Sequence, residues 1–506
     1  MPCSFSPAWV PSQSAQRFGG LFALTALLLF ANLQRGDLAG YDDAVYAHEG
    51  KQMLARGDWW NVWLNGQLDF DKPPLFIWLE AASFWLLGPT DFAAKFPAAQ
   101  LGLGTVALVY LIARQLTADV WLPALAMFVF ATTQYFVKYA THAMTDVPFT
   151  FFFTLALWAY LQGTQRWRGY WALCGLAIGL AALTRSYLGW LPLLIAGGHL
   201  WLTQPRAVWR SGWLWLGLLL ALGLPLSWFA LQWHWHGQAF VSYHFAYTAE
   251  NLRALDPQRG WRLALGWAQY PFLLGKLYWP WLPCLLGGLV IAVRRLRTGA
   301  NGQADGLSRE ALWLLLLWVT VAVLPFSLIE HKVLRYILPA FPAFALLGAL
   351  ALRQWIPARL LGRVFSTACG LLLTAILLIS STASHRLRAE EMRELAALLE
   401  SHTTSKQAIL FYAGGQARWD YVHQLIWYAN RQIQLQTRLD AAWCHLAVYP
   451  DGKLLIDRAS FRQSSLAAAP RLLVCGATKH FICVSQPGSP SGVPAPGGGQ
   501  LALDER

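Results

Sequence analysis

The feature that most limits this chain is a set of long runs without a single charge. Leu21–Leu33, Val147–Leu161 and Ser211–Trp233 each lack Asp, Glu, Lys and Arg. A helix crossing a hydrocarbon core needs roughly 20 mostly apolar residues, and these runs are of that order. Inside such a core each backbone amide must bond within its own segment, which makes the spans helical. One large soluble core would instead need polar faces interrupting the apolar runs. Composition agrees, with 56% hydrophobic and 13% charged residues against about 25% charged in an ordinary soluble domain.

The net charge of +13 reads as basic cytoplasmic loops rather than a nucleic-acid partner, and no nucleic acid is expected. The 28 tryptophans suit interfacial belts, where an indole keeps its N–H wet and its ring in lipid. The seven cysteines show no metal-type spacing. Cys174, Cys284 and Cys369 fall within spans as packing residues. Cys444, Cys475 and Cys483 lie in the C-terminal part, where a disulfide between two of them is open. No small-residue cleavage site follows the segment near Leu21, which therefore reads as a retained first span.

The apolar runs predict about eleven spans, near 18–35, 97–116, 119–137, 147–163, 169–184, 187–203, 211–233, 277–293, 311–328, 335–352 and 364–382. Pro73–Leu87 is apolar but short, and reads as a helix lying in the interface. With Arg17 inside, the inner loops carry Arg114, then Arg166 and Arg168, Arg206 and Arg210, Arg294, Arg295 and Arg297, and Arg353, Arg359 and Arg363. Every one is basic, as the positive-inside rule asks. Counting Pro73–Leu87 as a span would invert the later loops and lose that agreement.

The expected fold class is thus an all-α polytopic membrane bundle of about eleven transmembrane helices, eleven to thirteen at the limits, with interfacial helices and a small C-terminal α/β extracytoplasmic domain. The domains are 1–383 for the bundle, with 36–96 as its first outer loop, 384–485 for the outer domain and 486–506 as a disordered tail rich in Pro, Gly and Ser. Strand-like runs at Ala408–Tyr412, Leu446–Tyr449 and Arg471–Val474, with an amphipathic helix at Leu387–Leu399, support the outer domain.

The outer loops are acidic. Asp37, Glu49, Asp58 and Asp91 read as solvated loop residues. The outer cations are harder to set aside, because Arg185, Lys332 and Arg335 stand at helix ends on the side where cations are disfavoured. An ionisable group at membrane depth is a functional candidate. Converging cations imply an anion, and phosphate at headgroup level is the natural one. Nearby carboxylates imply that a proton or a metal is handled too. An enzyme acting on a lipid phosphate meets this description, and so does a transporter, which would more often use a midplane site and paired repeats. No repeat is visible. A scaffold for the outer domain is the third alternative.

Tyr41–Gly88 carries the most specific pattern: Asp42-Asp43, Tyr46-Ala47, Gly57-Asp58-Trp59, Leu64-Asn65-Gly66 and Asp71-Lys72-Pro73-Pro74 in order. This stretch resembles the first outer loop of polyprenyl-phosphate-sugar glycosyltransferases of the GT-C superfamily. The pattern is nearest to the lipid A aminoarabinose transferases, with protein O-mannosyltransferases more distant. Thr141–Pro148, Leu183-Thr184-Arg185 and Lys332–Pro342 resemble later segments of the same family. The chain departs from it at Val45, at His48 and at Tyr247–Leu255, which lacks the family's loop histidines.

The resemblance implies transfer of a sugar from a polyprenyl phosphate to an acceptor hydroxyl, with inversion, in an inner membrane and on its periplasmic side. The acceptor is a glycolipid such as lipid A, another glycan or a protein. By that resemblance Asp42 is the general base, Asp43 orients it, and Asp146 supports the acceptor or the base, with Tyr46 in support. The leaving phosphate needs charge more than a proton, and Lys72, Arg185, Arg253, Lys332, Arg335 and Tyr336 are the candidates to hold it. Each cation could alternatively snorkel to headgroups. Asp71 pairs with Lys72 or binds a divalent cation; no cofactor is required by this chemistry.

Overall fold

A computed structural model describes residues 12–31, 33, 38, 41–203, 206–246, 269–298, 307–327, 333–381, 386–404, 409–414, 419–448, 452–464 and 472–485. Arg253, Lys332 and the 486–506 tail therefore lie outside the described residues. The chain divides into two compact units. One holds Met1–Arg35, Glu49–Val62 and Leu68–Ala383; the other holds Gly36–His48, Trp63–Gln67 and Ser384–Arg506.

The first unit is helical. Six helical runs among the described residues are long and apolar enough to cross a membrane: Asp91–Leu116, Tyr170–Thr203, Gly212–His244, Arg309–Ser327, Leu334–Trp355 and Ala358–Ile376. Shorter apolar helices run over Ser14–Phe30, Leu75–Leu87 and Leu122–Ala131, the second of them on the segment expected to lie in the interface. Thr90 opens the helix from Asp91 by accepting from the Ala93 amide at 3.2 Å. Ahead of the helix Leu122–Ala131, Asp119 accepts from the amides of Trp121 and Leu122, and its other oxygen pairs with Arg353 at 2.6 Å.

Three expected spans take a different form. The 119–137 stretch is two helices, Leu122–Ala131 and Gln134–Ala140. The hydroxyls of Thr132 and Thr133 bond back to Phe128 and Val129 carbonyls at the break, which is how Thr bends or ends a helix. A 3₁₀ segment, Ser186–Trp190, separates Tyr170–Arg185 from Leu191–Thr203. Ser186 has φ 56°, and the chain turns back so sharply there that a Cβ on Gly189 would stand 2.1 Å from the Ala182 amide. Only glycine fits that approach. The late span likewise opens with a 3₁₀ segment, Leu334–Ala340, ahead of the helix Phe341–Trp355.

Gly212–His244 is broken as well. Gly237 has φ 54° and ψ −134°, a conformation that glycine alone adopts freely. Gln238–His244 is thus a short helix of its own, turned from the apolar run that precedes it.

The second unit contains a five-stranded sheet, ordered β4-β3-β5-β7-β6, from β3 (Ile409–Tyr412), β4 (Ile433–Gln436), β5 (Lys453–Asp457), β6 (Leu473–Ala477) and β7 (Phe481–Ser485). β3 runs parallel to β4 and β5, and β7 antiparallel to β5 and β6. Strand alternation sends Ile409, Phe411, Leu455, Phe481 and Cys483 to one face, against Leu395 and Leu399 of the helix Arg386–His402 and Val422 and Ile426 of Trp419–Ala429. Leu410, Leu454, Ile456, Ile482 and Val484 face the other way, against Ala442 and Leu446. The run Leu446–Tyr449, expected to be a strand, is helical to its described end at Val448. Ala442 and Leu446 stand four apart, so they share one helix face, a period that four residues read alone do not reveal. Cys475 and Cys483 are free thiols on neighbouring strands; the side chain of Cys444 lies outside those described.

The Leu64-Asn65-Gly66 element makes the tight turn between β1 (Val62–Leu64) and β2 (Gln67–Asp69). Asn65 and Gly66 have φ 52° and 81°, the pair of positive values that a two-residue hairpin turn needs. The Asn65 amide also donates to the Ile433 carbonyl at 2.7 Å and accepts from the Ile433 amide at 2.9 Å, closing one end of the edge strand β4.

Candidate active site

Asp146 is the first residue of the helix Asp146–Gln165 and Arg185 the last of Tyr170–Arg185. A carboxylate at an N-terminus and a cation at a C-terminus each suit the local helix dipole. Arg185 donates to Asp146 Oδ1 at 2.7 Å, with side-chain exposures of 9% and 0%. The guanidinium also lies 5.5 Å from the centre of the Tyr336 ring and 6.0 Å from that of Phe149. Arg335 stands over the same Tyr336 ring at 5.9 Å. Four predicted residues, Asp146, Arg185, Arg335 and Tyr336, therefore meet at one end of the helical unit. The second oxygen of Asp146 is buried and has no hydrogen-bond partner among the described residues.

Lys72 pairs with Asp71 at 2.6 Å, both partly exposed. Phe70, just before them, is held on both its ring and its carbonyl. The ring sits among His236, Phe240 and Tyr243, with centroids 5.0, 5.6 and 6.1 Å away. The carbonyl accepts from His244 Nδ1 at 2.7 Å. His244 Nε2 lies 2.9 Å from the Ser186 hydroxyl, and Ser186 follows Arg185 directly. Lys72, Asp71 and Asp69 all act electrostatically on His244.

Asp42, Asp43 and Tyr46 belong to the second unit. They stand on the opening turns of the helix Tyr41–Arg56, whose first turn carries both acids. Asp43 and Tyr46 are buried and Asp42 half-buried. Asp42 and Tyr46 are four apart and share a helix face.

Two features escaped sequence reasoning. Glu49, expected in solvent, is 3% exposed. It faces Asp69, Asp71 and Glu80, and burial together with the Asp69 carboxylate holds its carboxyl well above the usual range. The reason lies in packing: Gly50 brings this helix so close that a Cβ there would stand 2.8 Å from Glu80 Cβ. The other is the Ser186–His244–Phe70 chain of bonds, whose one sequence signal is a histidine seven residues beyond a glycine in an apolar run. Among the described residues no three His, Cys, Asp or Glu side chains form a group that could hold a metal ion.

Residues 71–230 match the family model for dolichyl-phosphate-mannose-protein mannosyltransferase, and residues 270–413 that of the Alg9-like mannosyltransferase family. An uncharacterized protein of Aquifex aeolicus strain VF5 is 27% identical over 331 residues, 64% of this chain and 61% of that one. The undecaprenyl phosphate-alpha-4-amino-4-deoxy-L-arabinose arabinosyl transferase of Pectobacterium carotovorum subsp. carotovorum strain PC1 is 28% identical over 343 residues, 67% of this chain and 59% of that one. The chain thus spans about three fifths of the length of these relatives. In fold it is similar to the crystal structure of ArnT from Cupriavidus metallidurans bound to undecaprenyl phosphate, with TM-score 0.69 and 19% identity over 93% of this chain and 98% of that one. The chain therefore resembles the GT-C superfamily glycosyltransferases, and among them the aminoarabinose transferases, as its first-loop motif implies.

Proposed function

We propose that the chain is an inner-membrane glycosyltransferase that moves a sugar from a polyprenyl phosphate to an acceptor hydroxyl on the periplasmic side. The observation that carries this reading is the buried Asp146–Arg185 pair beside Tyr336 and Arg335, set at the ends of apolar helices. Such a cluster offers charge-assisted donors to a phosphate at headgroup depth. The relatives named as undecaprenyl-phosphate-linked arabinosyl transferases support the same donor class. In this reading the bundle crosses about eleven times, its basic loops are cytoplasmic, and the sheet domain is periplasmic.

The chemistry is a displacement at the anomeric carbon. Asp42 takes the proton of the acceptor hydroxyl, and the acceptor oxygen forms its bond to that carbon. The bond from carbon to phosphate oxygen breaks, and the phosphate leaves with the electron pair. Lys72, Arg185, Arg253, Lys332, Arg335 and Tyr336 offset the charge that grows on it. Attack opposite the leaving oxygen inverts the centre. Asp43 orients Asp42, Asp146 fixes Arg185 and supports the acceptor or the base, and Tyr46 is a supporting residue. A lipid A sugar is the first acceptor to try.

Asp42→Asn tests this. In detergent with defined polyprenyl-phosphate-sugar donors and lipid A, transfer followed by mass spectrometry is expected to fall at least about a thousandfold, with polyprenyl-phosphate binding kept. Transfer within about tenfold of wild type would remove Asp42 as base.

A further inference from the structure

The broken helix Gly212–His244 holds the first outer loop at several points outside the proposed chemistry. Before the Gly237 break, Gln232 donates to the Trp60 carbonyl at 2.8 Å and His236 Nε2 meets Asn61 Oδ1 at 2.9 Å. Beyond it, Phe240 and Tyr243 close on the Phe70 ring. His244, 6% exposed, then bonds in two directions at once. A carbonyl only accepts, so Nδ1 carries the proton given to Phe70. In the neutral ring Nε2 is then left to accept from the Ser186 hydroxyl. The two partners flank two different parts of the cation cluster: Phe70 lies two residues before Lys72, and Ser186 lies one after Arg185.

Ser186 holds its place at some cost, since its φ of 56° is unfavourable for a side-chain-bearing residue. Glycine would relax that backbone, whereas a hydroxyl there has a bond to make.

We propose that His244 is a positioning residue that sets the spacing between Lys72 and Arg185 through its paired bonds to Phe70 and Ser186, so that both cations reach one phosphate. The proposal rests on the donor class proposed above. Neither His244 nor Ser186 touches the reacting atoms; they act through the loop and the helix end that they join.

The test uses the full chain in detergent, with polyprenyl phosphate alone as the binding probe and a polyprenyl-phosphate sugar for turnover. Ser186→Gly removes the hydroxyl without backbone strain. His244→Asn keeps a donor near the Nδ1 position and loses the Ser186 bond. Each is expected to weaken polyprenyl-phosphate Kd and raise donor KM by about tenfold, the scale of one buried hydrogen bond and a slight misplacement, with acceptor KM unchanged. Because both variants break the same bond, the double variant is expected to match the singles. A fall in melting temperature with Kd and donor KM within about twofold of wild type would make the contact merely structural and overturn the proposal. Additive losses would overturn it too. Wild-type turnover reports on the donor class separately: a wild type that binds the lipid phosphate without transferring sugar refutes the transferase reading and leaves the Kd comparison to decide on His244. A wild type that binds no polyprenyl phosphate refutes both.

Discussion

Removing one partner of the Asp146–Arg185 pair exposes how much of this site is structural. Arg185→Met leaves a carboxylate of 0% side-chain exposure without its cation. Breaking a buried pair from one side costs about 3–5 kcal/mol, because the remaining charge is neither solvated nor balanced. Asp146→Leu leaves the guanidinium, which keeps the Tyr336 and Phe149 ring faces; at about 0.5–2 kcal/mol per cation–π contact, its loss falls to the lower end, about 3 kcal/mol. The double variant Asp146→Leu/Arg185→Met removes both charges and is expected to lie within about 1 kcal/mol of wild type. Unfolding by detergent titration in mixed micelles, followed by tryptophan fluorescence, gives the four free energies of the cycle. Sugar transfer is expected to be lost in all three variants, which separates the stabilising role of the pair from the role proposed for it at a phosphate. Singles that each cost under about 1 kcal/mol, or a double variant equal to their sum, would refute the reasoning.

Other outcomes follow from neighbouring residues. Asp71→Asn is expected to change stability by less than about 1 kcal/mol by the same titration, since its pair with Lys72 is partly exposed; Lys72→Met should instead weaken donor binding in a fluorescence titration. Glu49 carries a folded-state pKa well above 4.5, so the folded chain binds more protons there than the unfolded one. Stability from this group is therefore expected to fall as pH rises above about 4.5, and Glu49→Gln to flatten that fall in melting temperature measured against pH. A steeper fall in the variant would reverse the sign. In the sheet domain, a hydrogen bond from Cys483 holds the Cys475 thiol down to about 5. Maleimide labelling of Cys475 should proceed at pH 6 and slow markedly in Cys483→Ala, and equal rates in the two proteins would count against the bond.

The bundle was legible because spans are written in runs long enough to outweigh local ambiguity: Ser211–Trp233 is helical from Gly212 onward. Breaks inside the runs were not legible. Thr132-Thr133 are ordinary residues in an apolar context, and Gly237 was one of 41 glycines; the break at Ser186, by contrast, falls between the expected spans 169–184 and 187–203. Of the site, Arg185 and Arg335 were found through charge on the wrong side of a membrane and Asp146 and Tyr336 through the family resemblance, and the four converge in space. Glu49 was misread because an acidic loop residue is usually wet, and its burial depends on the close approach at Gly50. His244 was passed over because its partners lie 58 and 174 positions away, a separation that no local pattern records.

The Asn65 amide has a wider consequence. Leu64-Asn65-Gly66 is part of the pattern by which the first loop is recognised, yet its polar side chain is spent on Ile433, in a region with no recognisable motif of its own. The first loop thus carries an address for that edge strand. A chimera that exchanges this loop for that of a relative would carry along the docking code for one particular sheet. Swaps intended to change the sugar or acceptor should therefore exchange the loop and the edge strand together.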